Sequence, residues 1–246
     1  MAEVTGNTAV QAPMGAIRSP LHFGSSETAN HLPHAMQGQL FTQDFLRRGV
    51  LETPPWQALN EAVFNDFRQS LTTIFPELHG ASTINEAQTE ALVINKVLVE
   101  LGWSDDTLPQ VNLSGKRRED VPDVLLFANS TAKAAALAET RDDRRYRHGL
   151  AILEAKRWMR PLDRGDHSEA TDPDAPSSQM LRYLSRADIV SDRKIKWGML
   201  SNGAVWRLYW QDARSRAEEF SRSIWPPLST CPASSMNWTK SSQRMP

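Results

Sequence analysis

Residues 150–158 of the chain read Leu150-Ala151-Ile152-Leu153-Glu154-Ala155-Lys156-Arg157-Trp158. The stretch opens with four apolar residues, which predict a buried strand, and Glu154 and Lys156 follow two positions apart. Because successive side chains of a strand point to opposite faces, these two charged groups leave the same face. Burial of an ionised group is costly unless the group is paired or bound to a metal. The stretch therefore predicts a core strand that ends in a chemical site.

A second apolar stretch carries another acid where a buried strand should not tolerate one. It reads Val121-Pro122-Asp123-Val124-Leu125-Leu126-Phe127, and we predict a strand over these residues. The 30 residues between Asp123 and Glu154 are too many for a simple hairpin and must be accommodated as an insertion. If the two strands are neighbours, two carboxylates and a lysine converge. Such a group suits a divalent cation and a hydrolytic water.

Composition limits the class of protein. The chain has 246 residues, of which 40% are hydrophobic, enough for one full core with additions. Its net charge of −1 gives no overall indication of nucleic-acid binding, so any surface that binds nucleic acid must be a local basic patch. A single cysteine, Cys231, excludes an internal disulfide framework and suits a reducing cytoplasm. We expect no membrane span and no signal peptide, and hence a cytoplasmic protein.

The chain divides into four parts by composition. Residues 1–38 are predicted to be a flexible arm whose His22, His31 and His34 are solvated. Residues 39–80 are predicted to be a helical lead-in, with an amphipathic helix that begins near Trp56 and stops at Pro76. Residues 81–220 hold the candidate catalytic unit. Residues 221–246, rich in serine and without acidic residues, are predicted to be an atypical, disordered tail.

The clearest helix is predicted from Thr83 to Gly102. Thr83 or Ser82 can cap it, with Glu86 closing a capping box, and Gly102 ends it. Glu86 and Glu90 lie one turn apart on one side of this helix. Either glutamate alone is better explained by an exposed helix face, and the functional alternative is a supporting acid near the metal.

Several further elements are predicted around the two main strands. Leu108–Leu113 is a weak strand, and the Ala-rich segment Thr131–Thr140 favours a helix. Residues 179–184 are predicted to be helical. Two strands, 196–200 and 204–210, are joined by Ser201-Asn202-Gly203, a hairpin sequence.

Two patterns in these later residues carry expectations about exposure and binding. In the last strand Trp206, Leu208 and Trp210 alternate with Arg207 and Tyr209, which predicts one buried and one exposed face. The basic clusters at 116–118 and 141–147 are solvated faces or phosphate contacts.

Together these motifs resemble the PD-(D/E)XK nuclease superfamily. The wider sequence of residues 83–210 resembles the amino-terminal nuclease domain of type IIG restriction–modification enzymes, and its elements are Asn85-Glu86-Ala87-Gln88-Thr89-Glu90, Leu101-Gly102-Trp103, Pro122-Asp123, Glu154-Ala155-Lys156-Arg157-Trp158, Pro161-Leu162-Asp163, Gln179-x-x-x-Tyr183 and the hairpin 197–209. The resemblance implies an α/β fold with a restriction-endonuclease-like core, a central mixed β-sheet flanked by α-helices.

The resemblance also implies roles for single residues. Asp123 and Glu154, with Glu90 or Glu86 in support, would bind Mg²⁺ or alternatively Mn²⁺, and the carbonyl of Ala155 would add a third oxygen. Lys156 would orient or deprotonate the attacking water. Gln179 and Tyr183, matching an element of the RecB-like branch, would help to position the substrate.

The implied partner is double-stranded DNA, and a dimer would serve double-strand cleavage. Full-length relatives also use S-adenosylmethionine, but this chain shows neither a Gly-rich cofactor loop nor an Asn-Pro-Pro-Tyr-type element. The change in composition after Phe220 suggests a truncated or frameshifted gene product. Two alternatives stay open, a catalytically silent DNA-binding fragment and an interaction module in which the charged strand residues only form ion pairs.

Overall fold

A computed structural model describes residues 36–75, 84–114, 120–163 and 175–224 of the chain. The strands are β1 (Met36–Gly38), β2 (Thr107–Pro109), β3 (Val124–Leu126), β4 (Ala151–Ala155), β5 (Trp197–Ser201), β6 (Val205–Trp210) and β7 (Phe220–Ile224). The helices are α1 (Gln43–Arg47), α2 (Pro54–Ala58), α3 (Glu61–Ile74), α4, α5 (Ser130–Leu137), α6 (Asp142–Arg145) and α7 (Pro176–Val190). Helix α4 is continuous and comprises Glu86–Thr89, a π-helical turn at Glu90–Ile94 and Asn95–Glu100.

The strands form one mixed, open sheet in the order β1-β7-β6-β5-β4-β3-β2. Strands β4 and β5 pair in parallel, and every other neighbouring pair is antiparallel. A parallel pair needs a crossover connection, and α7 lies in the connection between β4 and β5. The α/β class and the mixed sheet flanked by helices are therefore confirmed.

Helices cover both faces of the sheet, so the central strands are buried on two sides. One apolar cluster joins α4 to the sheet through residues such as Val93, Val97 and Leu153. The other joins α7 to the opposite face through residues such as Leu184, Ile152 and Leu200. Strand β4 is buried along its whole length. The acidic and basic groups at its end thus lie in a largely apolar surrounding.

Several predicted elements have the expected form. Strands β5 and β6 form the predicted hairpin, and Gly203 in its turn has the positive φ of +83° that glycine tolerates best. Gly102 has a φ of +95° directly after the C-cap Leu101 of α4, as the sequence predicts. Among the described residues, none of the helices is both long enough and apolar enough to cross a bilayer.

The predicted start of α4 is wrong. Asn85 caps the helix by accepting a hydrogen bond from Gln88 N at 2.8 Å, and the side chain of Gln88 accepts one from Asn85 N in return. This capping box uses the amide residues and leaves Glu86 on the first turn, free to face the site. Ser82 and Thr83, the predicted caps, lie outside the described residues.

The part of the lead-in from Pro54 to Ile74 contains two helices where one was predicted. Helix α2 ends at Ala58, and α3 begins after Asn60, whose extended backbone and side-chain bond to Val63 N at 2.9 Å start a new helix. An asparagine is a strong N-cap and interrupts the periodic pattern that predicted a single helix.

The sheet also crosses two predicted boundaries. Strand β1, within the predicted arm, pairs with β7, which extends four residues into the predicted tail. The strands around the site are shorter than predicted, because β2 and β3 each contain only three residues. The expectation of an exposed face on β6 is wrong. Arg207 and Tyr209, which were expected on that face, are both buried, and Tyr209 packs in the apolar cluster between the sheet and α7.

Candidate active site

The two predicted acids meet at one end of the sheet. Asp123 lies in the bend directly before β3, and β3 pairs with β4 so that Val124 faces Leu153. Continuation of this antiparallel register by one residue brings Asp123 opposite Glu154. The Ala155 backbone N–H donates to Asp123 Oδ2 at 2.7 Å, which holds the carboxylate beside the strand end.

Glu154 and Lys156 form a buried ion pair. Lys156 Nζ donates to Glu154 Oε1 at 2.6 Å, and Lys156 and Glu154 are only 5% and 2% exposed. The backbone N–H of Lys156 donates to Ser201 O at 2.7 Å, so the chain stays fixed just beyond β4. The intervening Ala155 packs into the α4 cluster on the opposite face, as the strand alternation predicts.

Both carboxyl groups resist ionisation in this surrounding. Burial, and next the negative charge of Asp123, raise the pKa of Glu154 to about 7, although Lys156 acts in the opposite direction. Burial also raises the pKa of Asp123, against the lowering effects of the Ala155 N–H and of Lys156. Burial disfavours both acids as anions, and the charge of a neighbouring acid adds to this effect in each case, Asp123 for Glu154 and Glu86 for Asp123. Such a pair favours binding of positive charge, either a proton or a cation.

The donor set fits a hard divalent cation of the Mg²⁺ type. Glu154 Oε2 is buried and has no hydrogen-bond partner among the described residues, although such atoms are rarely left unsatisfied. Mg²⁺ is commonly held by one or two carboxylates, with water and substrate phosphate in the other positions. Across the parts of the chain that the structure describes, no group of three or more His, Cys, Asp or Glu side chains is arranged to hold a metal. Asp123 and Glu154 offer two carboxylates, a number that Mg²⁺ sites commonly use.

Helix α4 supplies the supporting acids, and the structure brings both candidates to the site. Glu86 Oε1 lies 3.9 Å from Lys156 Nζ. Burial, then the charges of Asp123 and Glu86, raise the pKa of Glu90. Glu90 is thus electrostatically coupled to Asp123, whereas Glu86 approaches the lysine.

Thr89, between these glutamates, was missed by the sequence reasoning. It is buried, and its Oγ1 accepts a hydrogen bond from Trp158 N at 2.7 Å, which ties α4 to the segment after β4. The π-helical turn begins one residue later, and such turns are frequent at functional sites. A threonine within a predicted helix gives little indication of such a contact, because the partner lies far away in the sequence.

The predicted Gln179–Tyr183 pair exists on α7. Gln179 Nε2 donates to Tyr183 OH at 2.8 Å, and Tyr183 is buried on the same side of the sheet as Ile152. The buried Tyr146, also missed from sequence, is electrostatically coupled to Tyr183 and to Glu154. Its pKa is raised by burial first and then by the charges of Asp142, Tyr183 and Glu154.

The supporting interaction of Tyr146 is structural. Its hydroxyl donates to Val111 O at 2.6 Å.

None of the hydrogen bonds among the described residues joins Gln179 or Tyr183 directly to Asp123, Glu154 or Lys156, so a role for the pair in positioning substrate stays a prediction. The basic cluster 116–118 lies outside the described residues, as do His22, His31, His34 and Cys231.

Comparison of the chain with family models, with curated proteins and with solved structures finds no match. The function is therefore inferred from the geometry of the site.

Proposed function

We propose that this chain is a Mg²⁺-dependent endonuclease domain that hydrolyses phosphodiester bonds of double-stranded DNA. We further propose a restriction-endonuclease-like core that acts within a cytoplasmic restriction–modification system. One observation supports this most strongly. Asp123 and Glu154 form a carboxylate pair at one strand end. Glu154 Oε1 lies 2.6 Å from the Lys156 ammonium, and Glu154 Oε2 is buried without a hydrogen-bond partner among the described residues.

Each of these groups has a task that its chemistry permits. Asp123 and Glu154 would hold the cation, which supplies Lewis-acid stabilisation of the charge that develops on the phosphate. Lys156, as a cation, would orient the attacking water and offset negative charge in the transition state. Glu90 and Glu86 would keep the local field negative enough to attract the metal, and Thr89 would fix the distance between α4 and the strand end.

The burial of the Glu154–Lys156 pair adds to this proposal. Electrostatic groups act more strongly in a site that excludes water than at an exposed surface. A surface ion pair at a strand end, the alternative interpretation of Glu-x-Lys, would be largely exposed and worth little. The pair observed here is almost wholly buried, and a structural role alone does not account for the free oxygen of Glu154.

Plasmid cleavage tests the proposal. Supercoiled DNA is incubated with the full chain and Mg²⁺ or Mn²⁺, and Lys156→Ala is compared with Lys194→Ala, an exposed lysine at the opposite end of β5. We expect metal-dependent cleavage by the wild type and by Lys194→Ala, and at least a ~100-fold loss in Lys156→Ala, the order typical of general acid–base groups. Cleavage by Lys156→Ala at the wild-type rate would remove the mechanism.

A second candidate is a catalytically silent DNA-binding fragment. It is favoured by the lack, among the described residues, of a third metal-binding side chain grouped with the acid pair. This candidate predicts that the wild-type chain binds duplex DNA but does not cut it with either metal. Absence of cleavage together with retained binding would select it over the first.

A further inference from the structure

A cavity of about 260 Å³ is lined by the segment 159–163 after β4 and by residues of β6 and β7. Arg160, Arg207 and Arg222 line it together with one acidic residue, Asp163, and the amide Asn202. Arginine is always charged in proteins, so three positive groups face one negative group. The volume is below that of a typical drug-sized pocket and suits a small anionic group with part of its attachment.

Arg207 and Arg222 belong to the same cross-strand row of the sheet as Glu154. Glu154 pairs with Leu200, Leu200 with Arg207, and Arg207 with Arg222. Residues directly opposite one another on neighbouring strands point to the same face. The row thus runs from an acidic end to a basic end along one surface, with Arg207 two strand spacings, or about 10 Å, from Glu154.

The acid of the cavity does not neutralise this basic end. Asp163 accepts two hydrogen bonds from Arg207, at 2.5 and 2.6 Å. The hydrogen bond from Arg207 is the main cause that holds the pKa of Asp163 below its usual value, and the positive charge of Arg222 acts in the same direction. Among the described lining residues, three guanidinium groups thus accompany one carboxylate, which is bonded to Arg207.

Two donors on residues that line the cavity have no acceptor among the described residues. The Nε atoms of Arg207 and Arg222 are buried, and neither has a hydrogen-bond partner among the described residues. A buried donor without a partner is destabilising, and a bound water or ion is a common way to satisfy it. The Nε–H groups of Arg207 and Arg222 belong to cations, so an anionic acceptor would satisfy them best.

We propose that this cavity binds a phosphate group of the nucleic-acid strand that crosses the candidate active site. The guanidinium fork matches phosphate oxygens, which accept several N–H donors at once. The separation of about 10 Å between the backbones at Arg207 and Glu154 is short enough for one nucleic-acid strand to reach both positions. The scissile phosphate and the bound phosphate would then belong to one strand. This inference rests on the proposed function, and its test does not require cleavage.

The test measures the binding of a fluorescent DNA duplex to the full chain in EDTA over a range of salt concentrations. Each phosphate contact contributes about 0.9 to the slope of log K against log salt concentration. We expect Arg222→Gln to reduce this slope by about one contact. Arg193→Gln is the matched control, because this arginine is exposed and lies before β5, at the other end of the sheet. We expect the control to keep the wild-type slope.

A second measurement does not depend on whether Arg222→Gln folds. Inorganic phosphate is titrated into the wild-type chain, and the side-chain Nε–H resonances of Arg207 and Arg222 are followed by NMR, with Arg222→Lys used for assignment. Saturable shifts of these resonances support the cavity as a phosphate site. Unshifted resonances, or equal slopes for wild type and Arg222→Gln, would overturn it. If Arg222→Gln changes the slope but the wild type does not cleave DNA in the plasmid assay, the phosphate site stands and the nuclease proposal is refuted.

Discussion

The burial of Glu154 predicts that the protein loses stability as the pH rises in the absence of divalent cations. The pKa of this carboxyl is about 7 in the folded protein, compared with 4.5 for its ordinary value. The folded state therefore binds the proton more tightly than the unfolded state does. The associated stabilisation is complete below about pH 4.5 and disappears as the pH passes through about 7. At ~1.4 kcal/mol per pKa unit, the loss is about 3 kcal/mol.

Urea unfolding at a series of pH values from about 4.5 to 9 in EDTA measures this loss. Because other acids titrate in the same range, the diagnostic quantity is the difference in pH dependence between the wild type and Glu154→Gln, which has no carboxyl to titrate. We expect the variant to lack about 3 kcal/mol of the decline. Glu218→Gln, which replaces an exposed glutamate, should retain it.

Added Mg²⁺ should restore stability above about pH 7 in the wild type, because a ligand that binds only the folded state stabilises it. Glu154→Gln should show no such gain. Equal declines of the wild type and Glu154→Gln between about pH 5 and 8 would refute this prediction, since Glu154 would then titrate as it does in the unfolded chain.

Two further substitutions test the contacts that support the site. Thr89→Val removes the acceptor for Trp158 N, and we expect a loss of about 1–3 kcal/mol in the free energy of unfolding, with Thr89→Ser close to wild type. Tyr146→Phe leaves the Val111 carbonyl without its 2.6 Å donor in the core, and a loss of similar size should appear in the same urea assay. A stability equal to that of the wild type in either variant would show that the hydrogen bond concerned contributes little.

Much of the fold could be predicted because it depends on local patterns. The apolar run before Glu154 and the Asn202-Gly203 turn each specify a strand or a hairpin from a few neighbouring residues. The approach of Asp123 to Glu154 was also predicted, because a charged residue at the end of a buried strand is tolerated only when it is paired or binds a cation.

Other features depend on partners far away in the chain. Arg207 was expected on an exposed face because its strand alternates, yet α7 and the segment around Asp163 cover that face. The pairing of β1 with β7 joins residues near positions 37 and 222, and short strands without a strong apolar pattern give no local indication of it. Thr89 and Tyr146 were missed for the same reason, since their hydrogen-bond partners lie 69 and 35 residues away.

The π-helical turn of α4 allows one helix both to pack against the core and to contact the end of β4. A π turn holds one residue more than an α turn, so the residues before it are rotated by roughly 100° relative to those after it. Val93 and Val97 can therefore keep the phase that packing requires, while Glu86 and Thr89 keep another phase that reaches the strand end. Deleting a single residue from the π turn would give the whole helix one phase. The helix would then lose either its core contacts or the contacts of Glu86 and Thr89 with the end of β4.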